Sequence, residues 1–102
     1  MGRIPHAVAT ALLCFAPWAA AQDATLARNL AATCANCHGT NGLARGDMQP
    51  LAGVAAATLV ATMADFKSGA RPATVMHQIS KGYSDAQIAL IAGYFAAQSS
   101  KK

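Results

Sequence analysis

The stretch that decides the fold is Cys34-Ala35-Asn36-Cys37-His38, a C-x-x-C-H pentapeptide. Two thiols three residues apart on a helical turn can each add to a vinyl group of a haem, and the histidine beside the second thiol then lies under the iron. A redox C-x-x-C pair is expected near a βαβ pattern, which is not visible here. A structural zinc site needs four ligands, and no second Cys/His pair follows at zinc spacing. The pentapeptide therefore predicts one covalent haem c, attached through Cys34 and Cys37, with His38 as an axial iron ligand.

The N-terminal segment has the pattern of an export signal. Arg3 gives it a positive start, residues 7–15 (AVATALLCF) form an apolar run, and residues 19–21 are three alanines of the kind found at cleavage sites. The apolar run is too short to span a membrane, although an uncleaved anchor is an alternative. We predict that residues 1–21 are a signal peptide, and that residues 22–102 form one monohaem domain without a membrane span in the periplasm.

The composition of the chain limits its function classes. Charged residues make up 12% of it, with eight Lys and Arg against four acidic residues, and the only basic run is the terminal Lys101-Lys102. Nucleic-acid binding is therefore not favoured, and the mild positive charge favours docking on an acidic protein surface. A small alanine-rich domain has a marginal core of its own, so we expect folding and haem attachment to be linked.

Apolar periodicity predicts an all-α fold of about four short helices wrapped around the haem. The first helix begins at Asp23 or Ala24 and runs into the haem motif, and the last begins at Ser84, where S-D-A-Q forms a capping box. Between them the pattern predicts a helix over 54–68 and a short helix or turn over 74–80. No stretch predicts a strand.

Small residues are predicted to mark helix contacts and helix ends. Ala27 and Ala31 in the first helix would let another helix approach closely. Gly93, in the middle of the last helix, is explained by a close crossing with the first, since a mid-helix glycine is otherwise unfavourable. Gly69 is predicted to end the second helix in the left-handed conformation.

Residues 39–53 are predicted to form a loop with a turn at Asn41-Gly42. A haem-ligating histidine needs an acceptor for its other ring nitrogen, which fixes the ring and raises its basicity. A backbone carbonyl of this loop can supply that acceptor, and Pro50 is the residue that we single out for it. The alternative is that Pro50 only prevents a helix from forming.

The second axial ligand is expected at a methionine or at His77. A thioether ligand raises the reduction potential and favours electron transfer. Met63 lies in an apolar helix stripe, where methionine usually packs in the core, and Met48 follows His38 closely, in the loop assigned to the histidine side. Met76 is far enough along the chain to reach the opposite face and is favoured. His77 is the rival, because two histidine ligands would give a low-potential site.

The chain resembles the class I cytochromes c, in particular the small bacterial ones, over nearly all of residues 22–102. The resemblance lies in CANCHGTNG (34–42), PLAG (50–53), DFKSGARP (65–72), VM (75–76) and YSDAQIALIAGYFAAQ (83–98).

That resemblance implies the class I cytochrome c fold around one haem. It implies that Met76, eight residues before Ser84 of the Ser-Asp pair, ligates the iron. It also implies that the carbonyl of Pro50 accepts a hydrogen bond from the ligand histidine, and that the first and last helices cross with Tyr94 or Phe95 at their contact.

A second resemblance concerns DFKSGARPATVMHQISKGYSDAQI (65–88), which is especially similar to the haem subunit of flavocytochrome c sulfide dehydrogenase. It implies that a separate FAD-containing protein oxidises sulfide and passes electrons to this chain. The chain would then belong to an enzyme without carrying the substrate chemistry itself. Many such subunits have two haem domains, whereas this chain has one C-x-x-C-H motif.

The function expected from these observations is periplasmic electron transfer through a His/Met-ligated haem c, as the electron-accepting subunit of such a sulfide dehydrogenase. One alternative is a free soluble cytochrome c that carries electrons to a terminal oxidase or reductase. Another is a haem enzyme or sensor with an open sixth position. A positive rim is expected to steer the redox partner. Its members would be Arg45, Lys67, Arg71 and Lys81.

Overall fold

The regular structure of the described residues is entirely helical. The computed structural model describes residues 2–3 and 15–101, with side chains for 2–3 and 22–101. The helices are α1 (Phe15–Ala32), α2 (Ala35–His38), α3 (Ala56–Ser68), α4 (Met76–Lys81) and α5 (Asp85–Ala96), with a 3-10 turn at Thr40–Gly42. No strand occurs within these ranges, which confirms the all-α prediction.

Helix α1 begins at Phe15, well before its predicted start near Asp23. Three consecutive alanines precede Gln22, and alanine has the highest helix propensity of all residues. This propensity explains why the helix extends upstream of Gln22. Cleavage after Ala21 would remove residues 15–21 from α1, and the helix would then start near Gln22. Residue 1 and residues 4–14 of the predicted export signal lie outside the described residues. In the part of the chain that the structure covers, no helix has both the length and the apolar character needed to cross a membrane.

The core of the protein lies where α1 and α5 pack against each other. Ala31 of α1 and Phe95 of α5 are each only 1% exposed, and they form one buried cluster with Ile91. Ala27 and Ala31 are both buried, and Ala31 belongs to the cluster with α5, as the predicted close approach of another helix requires. The aromatic residue in the buried cluster is Phe95, whose burial stabilises the fold by about 2–3 kcal/mol.

Gly93 does not lie at that contact, and the prediction that a close crossing explains it is wrong. The residue is exposed, and a Cβ atom added to it would meet nothing within 4 Å. Its neighbour Ala92 is the buried small residue of α5. Successive helical residues point about 100° apart, so one position along the helix is enough to move a side chain out of the contact.

The two helix ends predicted from local sequence are confirmed. Gly69 ends α3 in the left-handed conformation, with φ 82° and ψ 5°. Ser84 caps α5 through a reciprocal capping box: the Gln87 amide donates to the Ser84 hydroxyl at 3.1 Å, and the Ser84 amide donates to the Gln87 side chain at 2.9 Å. The predicted bounds of the two middle helices differ from those of α3 and α4 by one or two residues.

Helix α3 is fastened to the start of α5 by Lys67. Its ammonium group donates to the carbonyl oxygen of Tyr83 at 2.6 Å and lies 3.5 Å from a carboxylate oxygen of Asp85. Asp85 is fully exposed, so the ion pair itself contributes little stability. The Lys67 ammonium group is nevertheless engaged by two groups of its own chain, the Tyr83 carbonyl and the Asp85 carboxylate.

Candidate haem-binding site

The two cysteines of the motif lie on one turn, at the junction of α1 and α2. The amides of Cys37 and His38 both donate to the carbonyl of Cys34, at 3.2 and 2.8 Å. Both thiols are free. Cys34 is half-buried and packs against the core cluster formed by α1 and α5, whereas Cys37 is exposed. Two thiols on a single turn match the spacing that attachment to two vinyl groups requires.

Burial raises the pKa of the Cys34 thiol, and a hydrogen bond with Thr33 acts in the opposite direction to a smaller extent. The neighbouring Thr33 is itself held in place. Its hydroxyl donates to the carbonyl of Leu30 at 2.9 Å, and its oxygen lies 2.7 Å from the hydroxyl of Tyr83. Since the single proton of Thr33 goes to Leu30, Tyr83 is the donor. This bond fastens the haem motif to the residue before the α5 cap.

His38 is oriented by a main-chain acceptor. Its Nδ1 lies 2.6 Å from the carbonyl oxygen of Gln49. Because a carbonyl oxygen can only accept, Nδ1 carries a proton, which leaves Nε2 as the ring nitrogen available to a metal. A hydrogen bond of this kind is typical of metal-ligating histidines. It gives His38 the tautomer and fixed ring that an axial haem ligand needs.

The acceptor for His38 differs from the predicted one by one residue. The structure places the carbonyl of Gln49 on the ring, not that of Pro50. A proline biases the residue before it towards extended conformations, so Pro50 restricts the backbone of Gln49, whose carbonyl is the acceptor.

The loop under His38 is anchored to α5 through Asn41 and Gly42. The Tyr94 hydroxyl donates to the side-chain oxygen of Asn41 at 2.6 Å. Gly42 has a φ of 79°, and a Cβ there would lie 2.6 Å from the amide nitrogen of Ala52 and 2.9 Å from the Phe95 ring. The predicted turn at Asn41-Gly42 thus needs glycine for both its backbone angle and its close packing.

The three candidate methionines occupy different settings. Met76 is half-buried and is the first residue of α4. Met63 is half-buried within α3. Met48 is 42% exposed, and it directly precedes Gln49, the residue that holds His38. Met48 therefore belongs to the loop on the Nδ1 side of His38, as expected.

The rival ligand His77 has a partner of its own. Its Nε2 lies 2.5 Å from the carbonyl oxygen of Arg71 and so donates to it. The His77 ring also meets the Phe66 ring edge-on, with centroids 6.3 Å apart. Binding a metal through Nε2 would break the hydrogen bond to Arg71.

Three of the four residues of the predicted positive rim are exposed: Arg45, Arg71 and Lys81. Lys67 is not free, because it bonds Tyr83 and Asp85. Arg45 lines an open groove that Cys37 also lines, together with Thr40 and Leu43. This member of the rim therefore shares a groove wall with the haem motif.

Taken together, the donor set suits haem c. Two cysteines on one turn that are not joined in a disulfide, and a histidine whose Nδ1 proton is held by a carbonyl, are the groups that covalent attachment and one axial bond of haem c use. The half-buried Met76 thioether is a candidate for the second axial bond. Sequence analysis missed the bonds of Thr33 with Tyr83 and of Asn41 with Tyr94, because no local signal marks pairs separated by 50 and 53 residues.

Comparison with known proteins gives two curated relatives. No protein-family profile matches the chain. The cytochrome subunit of sulfide dehydrogenase from Chlorobaculum tepidum is 39% identical over 72 residues, a match that covers 71% of this chain and 66% of that subunit. Cytochrome c-554(548) from Halomonas halodenitrificans is 34% identical over 82 residues, which is 76% of this chain and 99% of that cytochrome.

These similarities agree with the attachment motif and with the all-helical fold. The match to nearly the whole of a small cytochrome at 34% identity is the decisive one, because it covers the entire fold of that relative. The chain belongs to the small class I cytochromes c and carries covalently bound haem c.

Proposed function

We propose that this chain transfers electrons in the periplasm through a haem whose iron is held by His38 and Met76, as the electron-accepting subunit of a flavocytochrome c sulfide dehydrogenase. The observation that carries the proposal is the 39% identity with the cytochrome subunit of sulfide dehydrogenase, over 72 residues. The geometry around His38 supports the electron-transfer part of the proposal, because a rigidly held ligand keeps reorganisation small.

Met76 is supported as the second ligand by its own position and by that of its neighbour. It is half-buried at the start of α4, whereas the Nε2 atom of His77 is already bonded to the Arg71 carbonyl. Among the other methionines, Met48 lies next to the residue that holds His38, and Met63 lies within α3. A thioether is also the ligand that favours electron transfer at a high potential.

Haem c, when bound, supplies one-electron chemistry at its iron. The residues of this chain contribute a fixed environment for it. The carbonyl of Gln49 accepts a hydrogen bond from the Nδ1–H group of His38 and so makes the ring a stronger donor to a metal through Nε2. Tyr94 and Asn41 hold the loop that contains this carbonyl against α5. With His38 and Met76 both bound to the iron, no ligand position would stay open for substrate chemistry.

The proposed partner is a FAD-containing protein that oxidises sulfide. Arg45, Arg71 and Lys81 are exposed cations that would favour an acidic surface on that partner. Steering by such charges weakens as salt screens them, since the Debye length falls from about 10 Å at 0.1 M to about 3 Å at 1 M. Electron transfer from the partner should therefore slow as ionic strength rises.

The ligand assignment is tested by the spectrum of Met76→Ala. We expect the wild-type ferric protein to be low-spin with a sulfur-to-iron charge-transfer band, and the variant to lose that band. The matched control is Met63→Ala, which should keep it. A Met76→Ala spectrum identical to the wild type would reject Met76 as the ligand. A high-spin wild-type ferric spectrum, together with a reduced form that binds carbon monoxide at once, would favour the haem enzyme or sensor.

A free electron shuttle is the second candidate function. It is favoured by the similarity to cytochrome c-554(548), which extends over 99% of that cytochrome. Purification from the native host under mild conditions separates the two. Co-elution with a yellow flavin-containing protein that reduces this haem with sulfide supports the subunit. Recovery of a lone red protein that is not reduced by sulfide supports the shuttle.

A further inference from the structure

The segment between α3 and α4 is fastened to α3 at Arg71. The amide of Arg71 donates to the carbonyl of Asp65 at 3.3 Å. Its guanidinium group lies over the ring of Phe66, 5.7 Å from the ring centroid. Main chain and side chain therefore hold this one residue to the last turns of α3, and its carbonyl oxygen is the atom that His77 binds.

His77 connects that fixed point to α4. Its Nε2 donates to the Arg71 carbonyl at 2.5 Å, and its ring packs edge-on against Phe66 with an interplanar angle of 61°. Its own carbonyl accepts from the hydroxyl of Ser80 at 3.2 Å, and Ser80 is completely buried. His77 is thus held at its side chain by the α3 end and at its main chain by a buried residue of α4.

We propose that His77 is the positioning residue for Met76: by tying the start of α4 to Arg71 and Phe66, it fixes the adjacent Met76 backbone for axial ligation. The inference rests on the proposed ligation by Met76. The two residues are neighbours in sequence, so restraining the backbone at His77 restrains the backbone of Met76 as well. Groups that hold a ligand in place in this way strengthen its binding without contacting the metal.

If His77 has this role, its bond to Arg71 should make Met76 harder to displace from the iron. A thioether is a neutral and weak ligand, and an added imidazole competes with it for the iron. If the α4 start is held, displacing Met76 requires the bond from His77 to Arg71 to break or the loop to distort. If that bond is absent, displacement costs less by roughly the net worth of one hydrogen bond, which corresponds to about a fivefold change in an equilibrium constant.

The experiment compares holoprotein variants of His77 by imidazole titration. His77→Phe keeps a ring against Phe66 and removes the donor, and His77→Asn has an amide too short to reach Arg71. His77→Gln keeps an N–H donor near the position of Nε2. Gln78→Ala, an exposed position on the same helix, is the matched control. We expect the Phe and Asn variants to bind imidazole about fivefold more tightly than the wild type, and the Gln variant and the control to match it.

A second readout separates positioning from general stability. The temperature at which the sulfur-to-iron band disappears should fall in His77→Phe by more than the unfolding temperature from circular dichroism. Equal imidazole affinities in wild type, His77→Phe and His77→Asn would overturn the inference alone, provided that Met76→Ala still loses the band. Absence of the band from the wild type would overturn the ligand assignment and, with it, this inference.

Discussion

At the scale of single residues, hydrogen bonds from distant parts of the chain fix the side chains of the site. His38 is fixed by a loop carbonyl, Asn41 by the Tyr94 hydroxyl, and Thr33 by the Tyr83 hydroxyl. The haem motif is a short local pattern, and it predicts covalent haem attachment by itself. The atoms that orient it come from distant residues, and nothing in the motif indicates which ones they are.

Gly93 provides a prediction at this scale. Since it is exposed and a Cβ would meet no atom within 4 Å, Gly93→Ala should stabilise the holoprotein by about 0.5–1 kcal/mol through helix propensity. The measurement is the midpoint of guanidinium unfolding. Gly42→Ala is the contrasting variant and should destabilise, because its Cβ would lie 2.6 Å from the Ala52 nitrogen. A loss of stability in Gly93→Ala would show that the position does carry a packing constraint.

At the scale of helices, local signals predicted where elements end, and long-range packing decided how they meet. The capping box at Ser84 and the left-handed Gly69 are short-range patterns, and both are confirmed. Whether Gly93 faces α1 depends on how α5 is rotated about its own axis, and the spacing of small residues does not determine that rotation. The start of α1 at Phe15 reflects helix propensity that continues upstream of the predicted boundary.

The bond between Thr33 and Tyr83 gives a prediction about how α1 and α5 are coupled. Tyr83→Phe should lower the free energy of unfolding of the holoprotein by about 1 kcal/mol. Thr33→Val should cost a similar amount, and the double variant should lose less than the sum of the two, because both remove the same bond. Urea unfolding of the four proteins measures the coupling. Additive losses would mean that this hydrogen bond contributes no net stability.

At the scale of the whole molecule, the fold is an arrangement of short helices whose own core is small. The buried apolar set of the described residues is made mainly of alanines, with Phe95 as its largest member. The sequence predicted this small core correctly from its high alanine content. The C-x-x-C-H motif indicates a haem that adds apolar surface to such a core. The redox partner is recognised by the surface of the molecule. Exposed charges such as Arg45 and Lys81 form no sequence motif, so they do not indicate which partner binds.

The prediction for the intact molecule concerns its mature form. The protein recovered from the periplasm should have the mass of residues 22–102 plus one haem, and it should keep its haem stain after denaturing electrophoresis. The measurements are intact-mass spectrometry and N-terminal sequencing, with Cys34→Ser/Cys37→Ser as the control that loses the stain. A mass equal to the bare chain would contradict covalent attachment, and a retained N-terminal segment would contradict cleavage after Ala21.

The oxygen that holds His38 belongs to the main chain of Gln49, and this has a consequence for how the protein tolerates change. Every residue at position 49 has this main-chain oxygen. A substitution there can therefore disturb His38 only by moving the backbone. Inserting or deleting one residue between His38 and Pro50, in contrast, would shift a different carbonyl under the ring. Variation in this segment should therefore be restricted in length far more than in identity.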